Sequence, residues 1–427
     1  MSKSFNLSIG IEKEYDVAVI GGGSAGVFAA DAAARSGANT ILVEKNGMLG
    51  GTSTSAYVCY PGIFHFWGRQ LVTGPCWDMF LRLDKIGAVK MPKNEYAPKR
   101  TSSQQIQTDP FLLAVEMERT CKSSGVHILM HSMVSFARED DDGVTLVITG
   151  KEGMTGIRAK KVIDATGDAN IAGMLGYERV RSEVLQPATY ANRLDGYIFE
   201  DVKEEDVDKA FAKAFDEGYL DPVLFSWKSP YVMLKRRKMD MHIPCPGAES
   251  SAEKTAMELE GHEVLARMLE VYRTVPGCEN IKVKIFAAEC GIRETCRIVG
   301  ETTMTVDKFI SGYVYDDAVC YCFYPVDAHR LDGIHNVYFE EGVVPTLPYS
   351  AMIPMGSRHI LVAGRTVSSD SDTNSAVRVQ ASCMAMGTAA GVAAAIASKR
   401  NLDVGNININ ELKDDLSALG ATVPKKD

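Results

Sequence analysis

Residues 15–20 are an apolar, strand-forming run, and the glycine-rich segment Gly21-Gly-Gly-Ser-Ala-Gly26 breaks it at once. Residues 27–36 have the small-residue, alanine-rich character of a buried helix, and Gly37 closes it. Residues 40–43 are apolar and short again, with Glu44 at their end. The alternation predicts strand, glycine turn, helix, strand and terminal acid, in that order.

Further along, Thr108-Asp-Pro110 has the form of a helix start, and residues 111–124 carry apolar positions at helical spacing. Residues 126–130 read as a strand. Residues 134–138, 145–149 and 157–159 read as short strands joined by turns at 140–143 and 151–153, a small antiparallel meander. Residues 161–168 return to the main sheet. Between 174 and 349 the pattern changes: a charged helix over 200–218, an amphipathic helix over 250–271, a strand over 281–288, and a run over 312–325 that alternates aromatic and small residues as a sheet floor would. Residues 359–363 form a last strand, and residues 384–391 open an alanine-rich helix. The tail from 401 is a short closing segment with a charged end. The fold expected is α/β: a Rossmann-type domain, parallel sheet plus antiparallel meander, with an interleaved α+β substrate domain. The first domain is discontinuous, over 14–60, 108–175 and 345–400; the second takes 61–107 and 176–344; 401–427 is the tail.

The glycines carry the first chemistry. Gly21 allows a tight turn, Gly23 lets a pyrophosphate approach the backbone, and Gly26 lets the helix lie close to the strand. With Ser24 and Ala25, they form a helix N-terminus whose free N–H groups and partial positive charge suit phosphates. Glu44 can accept hydrogen bonds from a ribose diol. Beyond Lys45, a second glycine turn supplies the backbone donors of Gly51, Thr52 and Ser53 for the far side of a dinucleotide. That reach suits FAD better than NAD. No cysteine pair occupies this region, which argues against dithiol relay chemistry.

Composition narrows the function classes. The chain of 427 residues is 46% apolar and 24% charged with a net charge of −9, so bulk attraction to nucleic acid is not expected. The ten cysteines show no metal-type spacing and read as reduced, buried thiols of a cytoplasmic protein. Residues 1–14 are polar and mixed in charge, unlike a signal or transit peptide. The longest apolar run, 383–397, is built of alanine and glycine and falls short of a membrane span, so membrane insertion is not expected.

The stretch Asp164-Ala165-Thr166-Gly167-Asp168, after such a meander, resembles the second fingerprint of flavoproteins of the glutathione-reductase fold class. The resemblance implies that this turn closes over the adenosine end of FAD and that the backbone near Val134 meets the adenine. Gly291-Ile-Arg-Glu-Thr-Cys-Arg297 and Tyr324-Pro-Val-Asp-Ala-His329 resemble signatures of a bacterial group of FAD-dependent oxidoreductases, distantly similar to fumarate reductase flavoproteins. In that group the first signature usually carries two adjacent arginines; here Cys296 replaces one. Gly364, Arg365 and Arg378 continue the match. The resemblance further implies that a C-terminal helix points the donors of Gly387, Thr388 and Ala389 at the flavin.

The function expected is hydride transfer between flavin N5 and a small polar organic substrate, with an unidentified electron donor or acceptor and a possible homo-oligomer. A tRNA-modifying flavoprotein and a non-catalytic flavin-binding subunit share the glycine turns; the first demands a basic face, and the sole basic cluster is Lys235-Arg-Arg-Lys238. His329, oriented by Asp327, is the leading acid–base candidate, unless the two only fix the domain floor. Arg293 and Arg297, one helical turn apart, bind a substrate carboxylate, donate a proton in a reduction, or anchor a helix through Glu294 or Glu301. His65 is either an acid–base group or a structural histidine. No metal site is expected.

Overall fold

The computed structural model describes residues 7–92, 104–245 and 247–425. Part of the segment 61–107 assigned to the second domain, and the last two residues of the tail, lie outside them.

The strand Ile11–Ile20 runs through the middle of a seven-stranded sheet. It pairs in parallel with Thr40–Val43 on one side and Gly153–Asp164 on the other, and His127–Leu129 extends the parallel half. Val17, Ala18 and Val19 are fully buried, because helices cover one face and the meander side covers the other. Gly153–Asp164 is one continuous strand, not the two separate ones the pattern suggests. Its first part pairs antiparallel with Gly143–Gly150, which pairs with Met133–Asp140 to complete the meander. Its last residues pair in parallel with Ile360–Val362. A single strand thereby joins the meander to the parallel part of the sheet.

The helix Ser24–Arg35 packs against the long helix Gln380–Arg400. Small residues make that approach close. A Cβ added to Gly391 would lie 2.2 Å from the Ala29 carbonyl oxygen. The Gln380–Arg400 helix is longer than the run 383–397. By length and composition it is apolar enough to cross a membrane, yet 94% of its apolar window is buried inside the protein as a core helix. The tail adds a helix, Ile409–Ala418, capped by Asn408, which buries Leu412 and Leu416 in the same core.

Residues 188–292 build a second core around Tyr190, Phe211, Met233, Met268 and Tyr272. The capping box of Ser250 and Glu253 starts its longest helix, Ser251–Arg273. Phe64, Met79, Val319 and Cys320, by contrast, pack into the core of the first helix. Of the alternating run 312–325, only Ala318–Tyr321 becomes a strand, paired with Thr346–Pro348.

Candidate active site

The turn after the first strand is shaped by close approaches. Gly21 has φ +101°, and a Cβ there would meet the Ala165 carbonyl oxygen at 2.4 Å. A Cβ on Gly26 would meet the Gly21 carbonyl at 1.8 Å. Gly23 is different: a Cβ there meets nothing within 4 Å, so the space in front of it is open. The helix that starts at Ser24 has no side-chain cap and no acid in its first turn, although Ser24, Ala25 and Gly26 are buried. Its first N–H groups have no intrahelical acceptor, and a buried, uncapped N-terminus facing open space fits a diphosphate. Gly51 borders the same opening, with its own added Cβ 3.1 Å from Gly23 Cα. These features fit the dinucleotide that the sequence predicts.

Around this opening, Ser24 Oγ lies 2.9 Å from Ser53 Oγ, which donates to Gln380 Oε1 at 2.8 Å. Thr52 shares the short helical turn Gly51–Ser53. Glu44 is buried and accepts from the N–H groups of Gly22 (2.6 Å) and Asn46 (2.8 Å), so the acid also closes the glycine turn. Burial raises its carboxyl above the usual range against those two bonds. Lys45 is tied at 2.9 Å to Glu289, which Lys254 also reaches at 3.2 Å, linking the segment after Glu44 to the helix Ser251–Arg273. Asp164 is fully buried and accepts from the N–H groups of Ile171 and Ala172, fixing the turn that carries Ala165, Thr166 and Gly167. Asp168 pairs with Arg365 at 2.8 Å, whose Nε is buried without a partner among the described residues. Gly364, with φ +107°, makes the turn before it. Val134 is buried in the meander, while its neighbour Met133 is exposed.

Where the second core meets this domain, the strand Val326–Arg330 carries Asp327 and His329 on one face, with His329 Nε2 3.2 Å from the carboxylate. Gln186 joins the two halves of the cluster. Its Oε1 accepts from the His329 N–H and from Arg378 Nη2, both at 3.2 Å. Arg378 also donates to the Asp327 carbonyl, and its Nε is buried without a partner among the described residues. Arg293 donates to the Pro187 carbonyl at 2.6 Å. Burial first, then the Arg378 charge, pushes its guanidinium down to about 10. Burial raises the Asp327 carboxyl, but the His329 hydrogen bond and the charges of Arg378 and Arg293 act against it, and the carboxyl lies below the usual carboxylate range. Burial and the Arg293 charge push His329 down to about 4, so the ring is neutral at neutral pH.

Four expectations change. Residues 291–301 are not helical: an irregular segment leads into the strand Cys296–Ile298. Arg297 still reaches Glu294, at 2.5 Å, because the chain bends there, and both are buried; the pair is structural. His329 has no ring nitrogen left for a substrate, since Nδ1 lies 2.9 Å from His242 Nε2 and Nε2 faces Asp327. His65 Nε2 bonds Gln104 at 3.0 Å and its ring lies edge-on to Trp77, so its described contacts belong to the local aromatic packing. Gly387, Thr388 and Ala389 do not open their helix, which begins at Gln380; they sit two turns inside it, and Thr388 Oγ1 donates back to the Met384 carbonyl. Gln186 and His242 escaped the sequence reading because no local motif surrounds them.

No curated protein sequence matches the chain. Similar solved structures include BexE, studied for oxidation during BE-7585A biosynthesis (13% identity, 95% of this chain, 66% of that one, TM-score 0.48). They also include p-nitrophenol 4-monooxygenase PnpA from Pseudomonas putida (12% identity, 95% and 84%, TM-score 0.48). A third is a geranylgeranyl bacteriochlorophyll reductase-like protein from Thermoplasma acidophilum (12% identity, 95% and 91%, TM-score 0.41). The chain thus spans just under two thirds of BexE. The model of the FAD dependent oxidoreductase family matches residues 16–416, so the chain belongs to that family and its cofactor is FAD.

Proposed function

We propose that this protein transfers a hydride between FAD and a small anionic organic molecule, a carboxylate, with Asp327 handling the accompanying proton. Bound FAD supplies the hydride chemistry. The observation that carries the reading is the charge at the junction of the two cores. Among the described residues, Arg293 and Arg378 act on the carboxylate of Asp327 there, while Arg297 is paired with Glu294, Arg365 with Asp168, and Asp240 with Lys228 and Lys238. Two cations against one anion leave a net positive site that welcomes a negative ligand, and guanidinium is the side chain best shaped to grip a carboxylate. Asp327 is 21% exposed along its side chain and keeps acceptor capacity beyond its bond to His329. Its position beside both guanidiniums suits it to take or return a proton at the atom next to the reacting carbon.

The turn at 164–168 and the signature at 324–329 support grouping the chain with flavoproteins of the glutathione-reductase class and, distantly, with fumarate reductase flavoproteins. Ten free thiols, nine of them buried, support a cytoplasmic setting. The electron partner is a second small molecule or protein that meets the same flavin.

The test is anaerobic. Photoreduced holoenzyme is mixed with a panel of unsaturated carboxylates, 2-oxo acids and their methyl esters, and flavin absorbance is followed. Reoxidation by acids and not by the matching esters is expected. Equal rates with acids and esters, or no reaction with any member, would defeat the reading.

A further inference from the structure

His242 belongs to no motif, yet the fold places it against the cluster. It is fully buried. Its Nε2 lies 2.9 Å from His329 Nδ1, and its Nδ1 lies 3.3 Å from the hydroxyl of partly exposed Ser226. The Trp227 ring stacks on His242, parallel within 4° at a centroid distance of 5.4 Å, and lies edge-on to His329 at 5.7 Å. The Trp227 Nε1–H is held by the Asp240 carbonyl at 2.6 Å, and the Lys228 ammonium sits 3.3 Å from the centre of the Trp227 ring. Burial first, then the Arg293 charge and after it that of Lys228, disfavour a charged imidazole here.

With Asp327 ionised and both rings neutral, the hydrogen-bond pattern along this row has one consistent solution. An ionised Asp327 can only accept, so His329 Nε2 must carry the hydrogen. A neutral His329 then has only a lone pair at Nδ1, so His242 must carry its hydrogen at Nε2. His242 Nδ1 in turn accepts from Ser226. Each ring fixes the tautomer of the next.

We infer that His242 is a positioning residue: it holds the His329 hydrogen on Nε2 and so presents the Asp327 carboxylate as an acceptor only. The inference deepens the proposed function and rests on the reading of Asp327 as the proton-handling group. Without the donor at His242, His329 is free to move its hydrogen to Nδ1. Its Nε2 lone pair would then face Asp327, and the carboxyl would have to hold a proton to keep the bond. In the oxidation direction, where Asp327 takes up the substrate's proton, the residue would start already protonated.

The test needs no substrate. FAD-loaded protein labelled with 15N-histidine and 13C-aspartate is studied by NMR as wild type, His242→Gln and His242→Phe. Gln retains an N–H able to donate to His329 Nδ1; Phe retains a ring against Trp227 and has no donor. Wild type and the Gln variant are expected to show His329 as the Nε2–H tautomer and Asp327 titrating at the same pH. The Phe variant is expected to lose that tautomer and to raise the Asp327 midpoint by at least one pH unit. An Nδ1–H tautomer in the wild type, or a Phe variant that matches the wild type, overturns the inference. If the Phe variant does not fold, the tautomers of the wild type alone decide the outcome. Failure of every carboxylate in the reoxidation panel would sink the proposed function and leave these tautomers unchanged.

Discussion

A Cβ placed on Gly387 would sit 2.1 Å from the carbonyl oxygen of Ala25. The glycine therefore serves the contact between the Gln380–Arg400 and Ser24–Arg35 helices. Gly387→Ala would ordinarily help a helix interior by about 1 kcal/mol. Here the backbone oxygen cannot move aside without shifting the Ser24–Arg35 helix. The substitution is expected to destabilise by roughly 1–3 kcal/mol, as overpacking does. Thermal unfolding of the two proteins checks it; a higher melting temperature for the Ala variant would contradict the packing argument.

Gly23 gives the opposite expectation. Its φ of −73° suits any residue, and an added Cβ meets nothing within 4 Å. Gly23→Ala should leave the apoprotein within about 0.5 kcal/mol of the wild type, as surface changes do. It should still lose FAD, because the methyl group occupies the approach to the helix N-terminus. Fluorescence titration of apoprotein is expected to show at least tenfold weaker binding, on the order of 1.4 kcal/mol. An unchanged affinity would place the diphosphate elsewhere.

Asp327→Asn keeps an oxygen that can accept from His329 and removes the carboxylate. Turnover with whichever acid the acceptor panel identifies should fall by roughly 10²–10⁴, the usual worth of a positioned acid or base. Flavin content per chain, read from absorbance, should stay the same. Loss of flavin in parallel with activity would assign Asp327 to cofactor binding.

Acid should weaken the fold before carboxylates titrate. Burial, with the charge of Arg293, pushes His242 down to about 3 and His329 down to about 4, from an ordinary value of 6.5. Below about pH 6.5 the unfolded chain takes up protons that the native rings refuse. Unfolded protein then binds more protons than native, so stability falls as pH falls, until the native rings protonate near 4 and 3. Each ring contributes up to roughly 1.4 kcal/mol per pH unit in that window. Urea unfolding at pH 7, 6 and 5 checks this; replacing His242 with Gln should flatten the slope, and an unchanged slope would show that the rings are not held neutral.

The cofactor half of the molecule was legible because its signals are local. Strand, glycine turn, helix and acid follow one another within residues 11–44, and steric demands at Gly21 and Gly26 leave their mark at fixed spacing. The cluster around Asp327 was half legible. Asp327 and His329 alternate on one strand, so period two brings them together. Gln186, Trp227 and His242 come from loops remote in sequence, and only tertiary packing makes them neighbours. The Arg293–Arg297 spacing misled because a bent segment entering a strand can bring residues three apart into contact just as a helix does. The glycines near 387 misled in another way. They match the small-residue face of a distant helix, and a run of small residues looks the same at the mouth of a helix as within it.

The pairing of the Ser24–Arg35 and Gln380–Arg400 helices has a consequence for biosynthesis. The first partner leaves the ribosome long before its counterpart is made. A nascent chain therefore carries a bare alanine-rich surface until residues 380–400 emerge, and the glycine turn at 21–26 acquires its backing only then. Ring closure over so many residues is slow, and the waiting apolar surface invites self-association in the interim.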